Sequence, residues 1–208
     1  MRRILISLLA LLCMASCGRR RNAPAQEAAA DSRPRVFLPA IAPSSLSPDE
    51  RRDYLRVHYW DRFDFTDTLF TVRADTLQMV EAYARYIALI SDRPTDGSPI
   101  DSLMRRASSS RKMLDYFSML AEQVLHDPNS PLRNDEFYIP VLQAQLRSPW
   151  YDEYERIAPQ YDLEMAMQNR LGHQANDFRY TLASGASGNL YGLHAEYVLL
   201  FINNPGCP

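Results

Sequence analysis

The sequence is poor in the residues from which most metal and nucleophile sites are built. It has 3 cysteines and 4 histidines among 208 residues. The histidines are scattered, without a His-x-x-x-His or Cys–His pair, so their spacing predicts no metal site. We likewise expect no cofactor.

The chain also lacks an excess of charge of either sign. Its 23 Lys and Arg residues oppose 25 Asp and Glu residues, which leaves a net charge of −2. No basic cluster is interleaved with aromatic residues, as binding of single-stranded nucleic acid would need. The composition therefore argues against nucleic acid as a partner. It fits an exported globular chain of one or two domains and leaves the oligomeric state open.

Long apolar runs are nearly absent, and the first one lies at the N-terminus. Residues 4–12 are apolar except for Ser7 and follow two arginines. This run is short for a membrane span but has the length of a signal-peptide core. Two small residues then precede Cys17, which resembles a bacterial lipobox. We expect residues 1–16 to be a lipoprotein signal peptide and Cys17 to be lipidated; the alternative is an ordinary secretory signal.

Lipidation at Cys17 would make the membrane a partner of this protein. Two or more acyl chains anchor a protein stably, whereas one holds it weakly. We therefore expect a location in the cell envelope. The residues after Cys17 lack an acidic cluster of the sort that can accompany surface export, which favours the periplasmic side. Residues 17–46, rich in Ala, Pro, Ser, Gln and Arg, are predicted to be a flexible tether, with docking of the apolar patch at 36–41 left open.

Helical signals occupy residues 47–173, which we predict to be an all-α domain. Ser47, Pro48 and Glu50 form a capping box with proline at the first helical position. Further helices are expected from about Asp75, from Ser98, around residues 113–124, from about 135 to 146, and over 149–171 with an interruption near Pro159. Two prolines mark residues 127–131 as a loop.

Strand signals replace helical ones after residue 173. Residues 177–182 alternate with period two, and the segment 184–188 has the glycines and serines of a turn. Residues 198–202 are apolar at every position, as in a strand covered on both faces. The chain is thus predicted to be mainly α, with a small helical domain followed by a β-hairpin and a first buried strand.

The segment after residue 174 resembles the start of a thioredoxin-like domain of the membrane-anchored thiol-disulfide oxidoreductase type. The residues that carry this resemblance are Ala175, Asp177, Phe178, Gly185, Leu190, Leu193, the run 198–201 and Cys207. The helical region is similar to a domain of unknown function that precedes such folds in some Gram-negative envelope lipoproteins. Its matching stretches are 58–61, 63–65, 129–134 and 138–140. The resemblance assigns residues 174–208 to an incomplete thioredoxin-like α/β domain.

The resemblance implies a redox role for Cys207, placed after a Pro-Gly turn. In that family a second cysteine completes Cys-x-x-Cys and releases the substrate, and it would fall two residues past Pro208. We therefore expect the N-terminal portion of an oxidoreductase that is inactive as residues 1–208. Its partners would be envelope proteins with thiols.

The alternative is a non-catalytic lipoprotein whose helical domain binds a partner. Candidate partner-binding residues are His58, Trp60, Asn129 and Arg133. For His58, a core or boundary aromatic cluster is the favoured interpretation. Since residues 175–208 contain little of a thioredoxin sheet, we also expect them to be poorly packed, or held only by contacts with the helical domain.

Overall fold

The computed structural model describes residues 35–91, 97–170, 172–201 and 206. These residues form seven α-helices and one two-stranded antiparallel sheet. The helices are α1 (Pro48–His58), α2 (Phe70–Arg73), α3 (Thr76–Ser91), α4 (Ser98–Ala107), α5 (Arg111–Ala121), α6 (Asp135–Arg147) and α7 (Ile157–Ala166). A π-helix, Glu122–His126, continues α5, and a 3-10 helix, Leu190–Gly192, follows the sheet. The mainly α fold class is confirmed.

Polar side chains begin the helices where the sequence predicts them. At α1 the capping box is complete, because the Glu50 amide donates to Ser47 Oγ while Glu50 accepts from the Ser47 amide at 2.8 Å. Ser110 caps α5, and Asn134 caps α6 by accepting from the Phe137 amide at 3.2 Å. Each cap satisfies an amide that has no partner within its helix.

Aromatic rings form the centre of the core between α3, α5 and the segment after α1. Trp60 is 3% exposed and packs edge-on against Phe117, Phe63 and Tyr86 at centroid distances of 5.3–6.0 Å. Tilted and edge-to-face rings place the positive edge of one ring against the negative face of another. The Tyr59 hydroxyl reaches the Ala82 carbonyl at 2.9 Å, which ties the end of α1 to α3.

The apolar patch at 36–41 of the predicted tether, whose docking the sequence leaves open, packs on the helical domain through Phe37. Phe37 is 5% exposed and stacks on Trp60 at 4.8 Å, with the two ring planes only 13° apart. Arg35 forms an isolated bridge with Ala74 and an ion pair with Asp67. Burial of the Phe37 ring stabilises the ordered form of this segment. Its flanking polar groups also find partners on the domain. Residues 1–34, which contain the predicted signal peptide and the rest of the tether, lie outside the described residues.

The helix predicted over 149–171 is shorter than expected. Residues 149–156 form turns, and α7 extends only from Ile157 to Ala166, with Pro159 in its first turn. Proline is tolerated there because the amide it lacks would have no helical partner. Helix α7 packs on α6, and the Arg170 guanidinium beyond it pairs with Glu136 at the start of α6.

The predicted β-hairpin is present. Strand β1 (Arg179–Thr181) pairs with β2 (Ser187–Asn189), and Tyr180 lies opposite Gly188. The turn contains Gly185 at a φ of +85°, a left-handed conformation that favours glycine. No residue of the described stretch 172–201 is buried, which confirms the expected poor packing.

The buried strand expected at 198–202 is not formed in the described residues. Residues 198–201 have no strand partner in the described part of the chain, and Leu199 is 94% exposed. An apolar run becomes a buried strand only when other strands and helices cover it, and none of the described elements lies in that position. Among the described helices none is both long and apolar enough to cross a membrane.

Candidate functional site

The predicted redox cysteine, Cys207, lies outside the described residues, whereas much of the segment before it is described. The hairpin, the 3-10 helix and the exposed run 198–201 lead towards a turn at Gly206. Asp177 anchors this framework, because its carboxylate accepts from Asn189 Nδ2 at 2.7 Å and from the Tyr191 amide at 3.2 Å. Partial desolvation raises the pKa of this exposed carboxyl, but its hydrogen bonds together outweigh that effect and lower the pKa of Asp177. Cys207 and Cys17 both fall outside the described residues, so their roles stay predictions.

Two of the predicted partner-binding residues lie close together at the end of α1. His58 is half-buried, stacks on Tyr54 at 4.2 Å and contacts Asp61 through Nδ1 at 2.6 Å. Trp60 is a core residue, and its indole nitrogen has no hydrogen-bond partner in the described part of the protein. Trp60 and Tyr86 line a cleft of about 270 Å³ between α1, α3 and α4.

The basic groups of this cleft are engaged within the protein. Arg106 donates to the Trp60 carbonyl at 3.1 Å and to Asp61 at 3.4 Å, and its guanidinium lies 4.5 Å from the centre of the Phe65 ring. Arg56 donates to the Leu89 carbonyl at 3.1 Å. These contacts hold the helices around Trp60, so the geometry is that of a structural cluster.

The other two predicted residues lie on the loop between the π-helix and α6. The Asp127 carboxylate accepts from the Asn129 amide at 2.7 Å and from its side chain at 3.2 Å, which closes an Asx turn. Asn129 and Arg133 are exposed. In the described residues no hydrogen bond joins this loop to His58 or Trp60, so the four residues do not form one site.

Sequence reasoning missed a larger cleft of about 400 Å³ between α5, α6 and the start of α7. Four carboxylates and two tyrosines line it together with Arg111 and Gln145. These acidic and aromatic residues are Asp115, Glu122, Tyr138, Tyr151, Glu155 and Asp162. They are up to 47 positions apart and share no motif, so only the packing of the helices brings them together.

One wall of this cleft is a network around Arg111. Its guanidinium pairs with Glu155 through two nitrogens and lies 3.5 Å from Asp115, which in turn accepts from the Tyr151 hydroxyl at 2.9 Å. Hydrogen bonds from Arg111 lower the pKa of Glu155. Burial, together with the hydrogen bond to Asp115, raises the pKa of Tyr151 to about 12, so this tyrosine stays protonated at neutral pH.

Comparisons with known proteins identify the chain's relatives. Residues 16–169 match the family model described as a domain of unknown function, DUF5106. The fold is similar to the crystal structure of a thioredoxin-like protein from Bacteroides caccae ATCC 43185, with a TM-score of 0.73 and 43% sequence identity. The match covers 83% of this chain but 62% of that protein, so the chain spans less than two thirds of its length. No curated protein matches the chain.

Both parts of the resemblance seen in the sequence are thus confirmed, since a domain of unknown function and a thioredoxin-like protein were each expected. The family match also begins well before residue 47, in agreement with the burial of Phe37. This protein belongs to the DUF5106 family.

Proposed function

We propose that this chain is the N-terminal portion of a lipid-anchored thiol-disulfide oxidoreductase of the cell envelope. The observation that carries the proposal is the 43% identity to a thioredoxin-like protein that is longer than the matched region. The Pro-Gly-Cys-Pro ending and the hairpin before it support the same assignment. In this proposal the helical domain holds or shields the redox domain and contacts client proteins.

The proposed chemistry starts at Cys207. Its thiolate attacks one sulfur of a client disulfide, a mixed disulfide forms, and the other client sulfur leaves as a thiolate. A second cysteine in Cys-x-x-Cys then attacks the mixed disulfide and releases the reduced client, and the enzyme pair becomes a disulfide. Residues 1–208 contain no second cysteine near Cys207, so they support the first step alone.

Two protein lengths and one substitution test the redox proposal. The coding sequence is read past residue 208, and the longer product is compared with residues 1–208 in an insulin-reduction assay. We expect turnover from the longer product, no turnover from residues 1–208, and loss of turnover in the longer product carrying Cys207→Ser. A stop codon directly after Pro208, or turnover that survives Cys207→Ser, would contradict the proposal and favour a non-catalytic partner-binding lipoprotein.

The lipid anchor is tested separately at Cys17. Cells that express the protein are labelled with a radioactive fatty acid and fractionated. We expect the label on the native chain and in the membrane fraction, and neither in Cys17→Ser. Cys13→Ser is the matched control, because Cys13 lies within the predicted signal core and should leave labelling unchanged. Labelling that persists in Cys17→Ser would refute the anchor.

A further inference from the structure

Four carboxylates and one guanidinium line the cleft between α5, α6 and α7, so its described lining carries an excess of negative charge. Asp115 and Glu155 share the single guanidinium of Arg111. Glu122 and Asp162 also line the cleft, and the described part of the protein contains no ion pair to either of them. Carboxylates that line one cleft without a counter-ion favour the arrival of a cation.

Tyr138 contributes a polar group that faces the same space. It is 4% exposed, lines the cleft, and its hydroxyl has no hydrogen-bond partner among the described residues. Burial raises the pKa of Tyr138, and the nearby carboxylates of Glu122 and Asp162 raise it further. The hydroxyl and the two carboxylates therefore lie within electrostatic reach of one another, although they come from α6, the π-helix and α7.

A π-helix, Glu122–His126, begins at one of these carboxylates and continues α5 beside the cleft. Here the Asp127 amide donates to the Glu122 carbonyl at 2.9 Å, a span of five residues. The wider turn of the π-helix shifts the side chains that follow Glu122. One of them, His126, stacks on the Tyr138 ring at a centroid distance of 4.7 Å. Single π-helical turns are frequent at functional sites because they move side chains out of α-helical register.

The size and composition of the cleft define the kind of cation. The described residues contain no group of three or more Asp, Glu, His or Cys side chains able to hold a metal ion. A cleft of about 400 Å³ is far larger than a metal ion, and its tyrosine rings offer flat apolar walls. Alkyl stems pack on such rings, and cations are attracted to their faces.

We propose that this cleft binds an organic cation, an alkylammonium or guanidinium group, between the carboxylates of Glu122 and Asp162. The alkyl stem of the ligand lies against the Tyr138 ring. The Tyr138 hydroxyl accepts a hydrogen bond from the ammonium or guanidinium group. A lysine or arginine side chain of a protein partner and a free diamine both have this chemistry. The inference concerns the helical domain and does not rest on the proposed redox role.

Calorimetric titration of the full chain with three probes tests the inference. Cadaverine represents a free diamine, an acetylated Gly-Lys-Gly amide represents a protein side chain, and the same peptide with norleucine lacks only the ammonium group. We expect at least one cation to bind, weakening as salt rises, and no binding of the norleucine peptide. Tighter binding of the lysine peptide assigns the ligand to a protein partner, and tighter binding of cadaverine assigns it to free diamines. Binding of neither cation, or equal binding of the norleucine peptide, would overturn the inference.

Substitutions locate the binding. We expect Glu122→Gln and Asp162→Asn each to weaken the better cation by roughly threefold to fivefold, and the double variant by about tenfold or more. Glu164→Gln is the matched control, since Glu164 lies on the same helix as Asp162 but outside the cleft. Far-UV circular dichroism verifies that each variant is folded. If Glu164→Gln weakened binding as much as Asp162→Asn, the cation would be bound by general surface charge and the inference would fail.

Discussion

Replacing Phe37 with alanine tests whether the segment before α1 belongs to the folded domain. Composition predicts a flexible tether here and leaves docking of the apolar patch 36–41 open; in an undocked tether the substitution would change nothing. The structure places its ring in the core, 5% exposed, stacked on Trp60 and 5.5 Å from Phe63 in an edge-on contact. The two descriptions predict different stabilities for the same variant.

The expected loss follows from the burial of the ring. Truncating a buried Phe to Ala costs about 3–5 kcal/mol, from the lost transfer free energy and the cavity that remains. Phe37 lies at the edge of the core, where the chain can partly collapse, so we expect about 3 kcal/mol. With a urea m-value of about 2 kcal/mol/M, the midpoint of unfolding should fall by about 1.5 M.

The measurement is urea unfolding followed by far-UV circular dichroism. This signal reports the helices, whereas the fluorescence of Trp60 would change directly when its stacking partner is removed. Leu38→Ala is the matched control, because the neighbouring side chain is 60% exposed and should cost no more than about 0.5 kcal/mol. A midpoint shift below about 0.5 M for Phe37→Ala, or one equal to that of Leu38→Ala, would refute the reasoning.

Three further substitutions test how α6 is held. Gly97→Ala should lower the free energy of unfolding by about 1–3 kcal/mol in thermal unfolding. Gly97 has a φ of +79°, and a Cβ there would lie 3.0 Å from both the Glu136 carbonyl and Pro140. An unchanged Tm would contradict this. Asn134→Ala should cost about 1 kcal/mol in the same measurement by removing the cap of α6, and Asn134→Asp should restore it. Hydrogen bonds from Arg170 lower the pKa of Glu136. The stability that this pair gives the folded state is therefore present above the usual glutamate pKa and is lost as pH falls through the lowered value. Glu136→Gln should therefore reduce stability at neutral pH and have little effect in strong acid; an equal loss at both pH values would contradict this pairing.

Local signals in the sequence were enough to predict most helices and the hairpin. The capping box at Ser47, the serine and proline that begin α4, and the loop at 127–131 each act within one turn of the chain. Such signals depend on side-chain groups that meet backbone amides a few residues away, so no tertiary information is required. The switch to strand-like alternation after residue 173 is local in the same way.

Features that depend on distant contacts were not predictable. The sequence left docking of the patch 36–41 open, because a single aromatic residue in a Pro- and Ala-rich segment carries no periodicity. Burial of Phe37 depends on Trp60 and Phe63, more than twenty positions away. In the described residues, the apolar run 198–201 does not form the predicted buried strand. Apolar composition predicts a covered strand only where neighbouring elements are present to cover it.

The acidic cleft shows most clearly what each level contributes. By itself the sequence determined the family resemblance, most of the helices and the hairpin, because these depend on contiguous residues. Only the tertiary structure brought Glu122, Tyr138 and Asp162 into one cleft. Electrostatic and aromatic recognition depends on distances through space, and those distances are set by how α5, α6 and α7 pack.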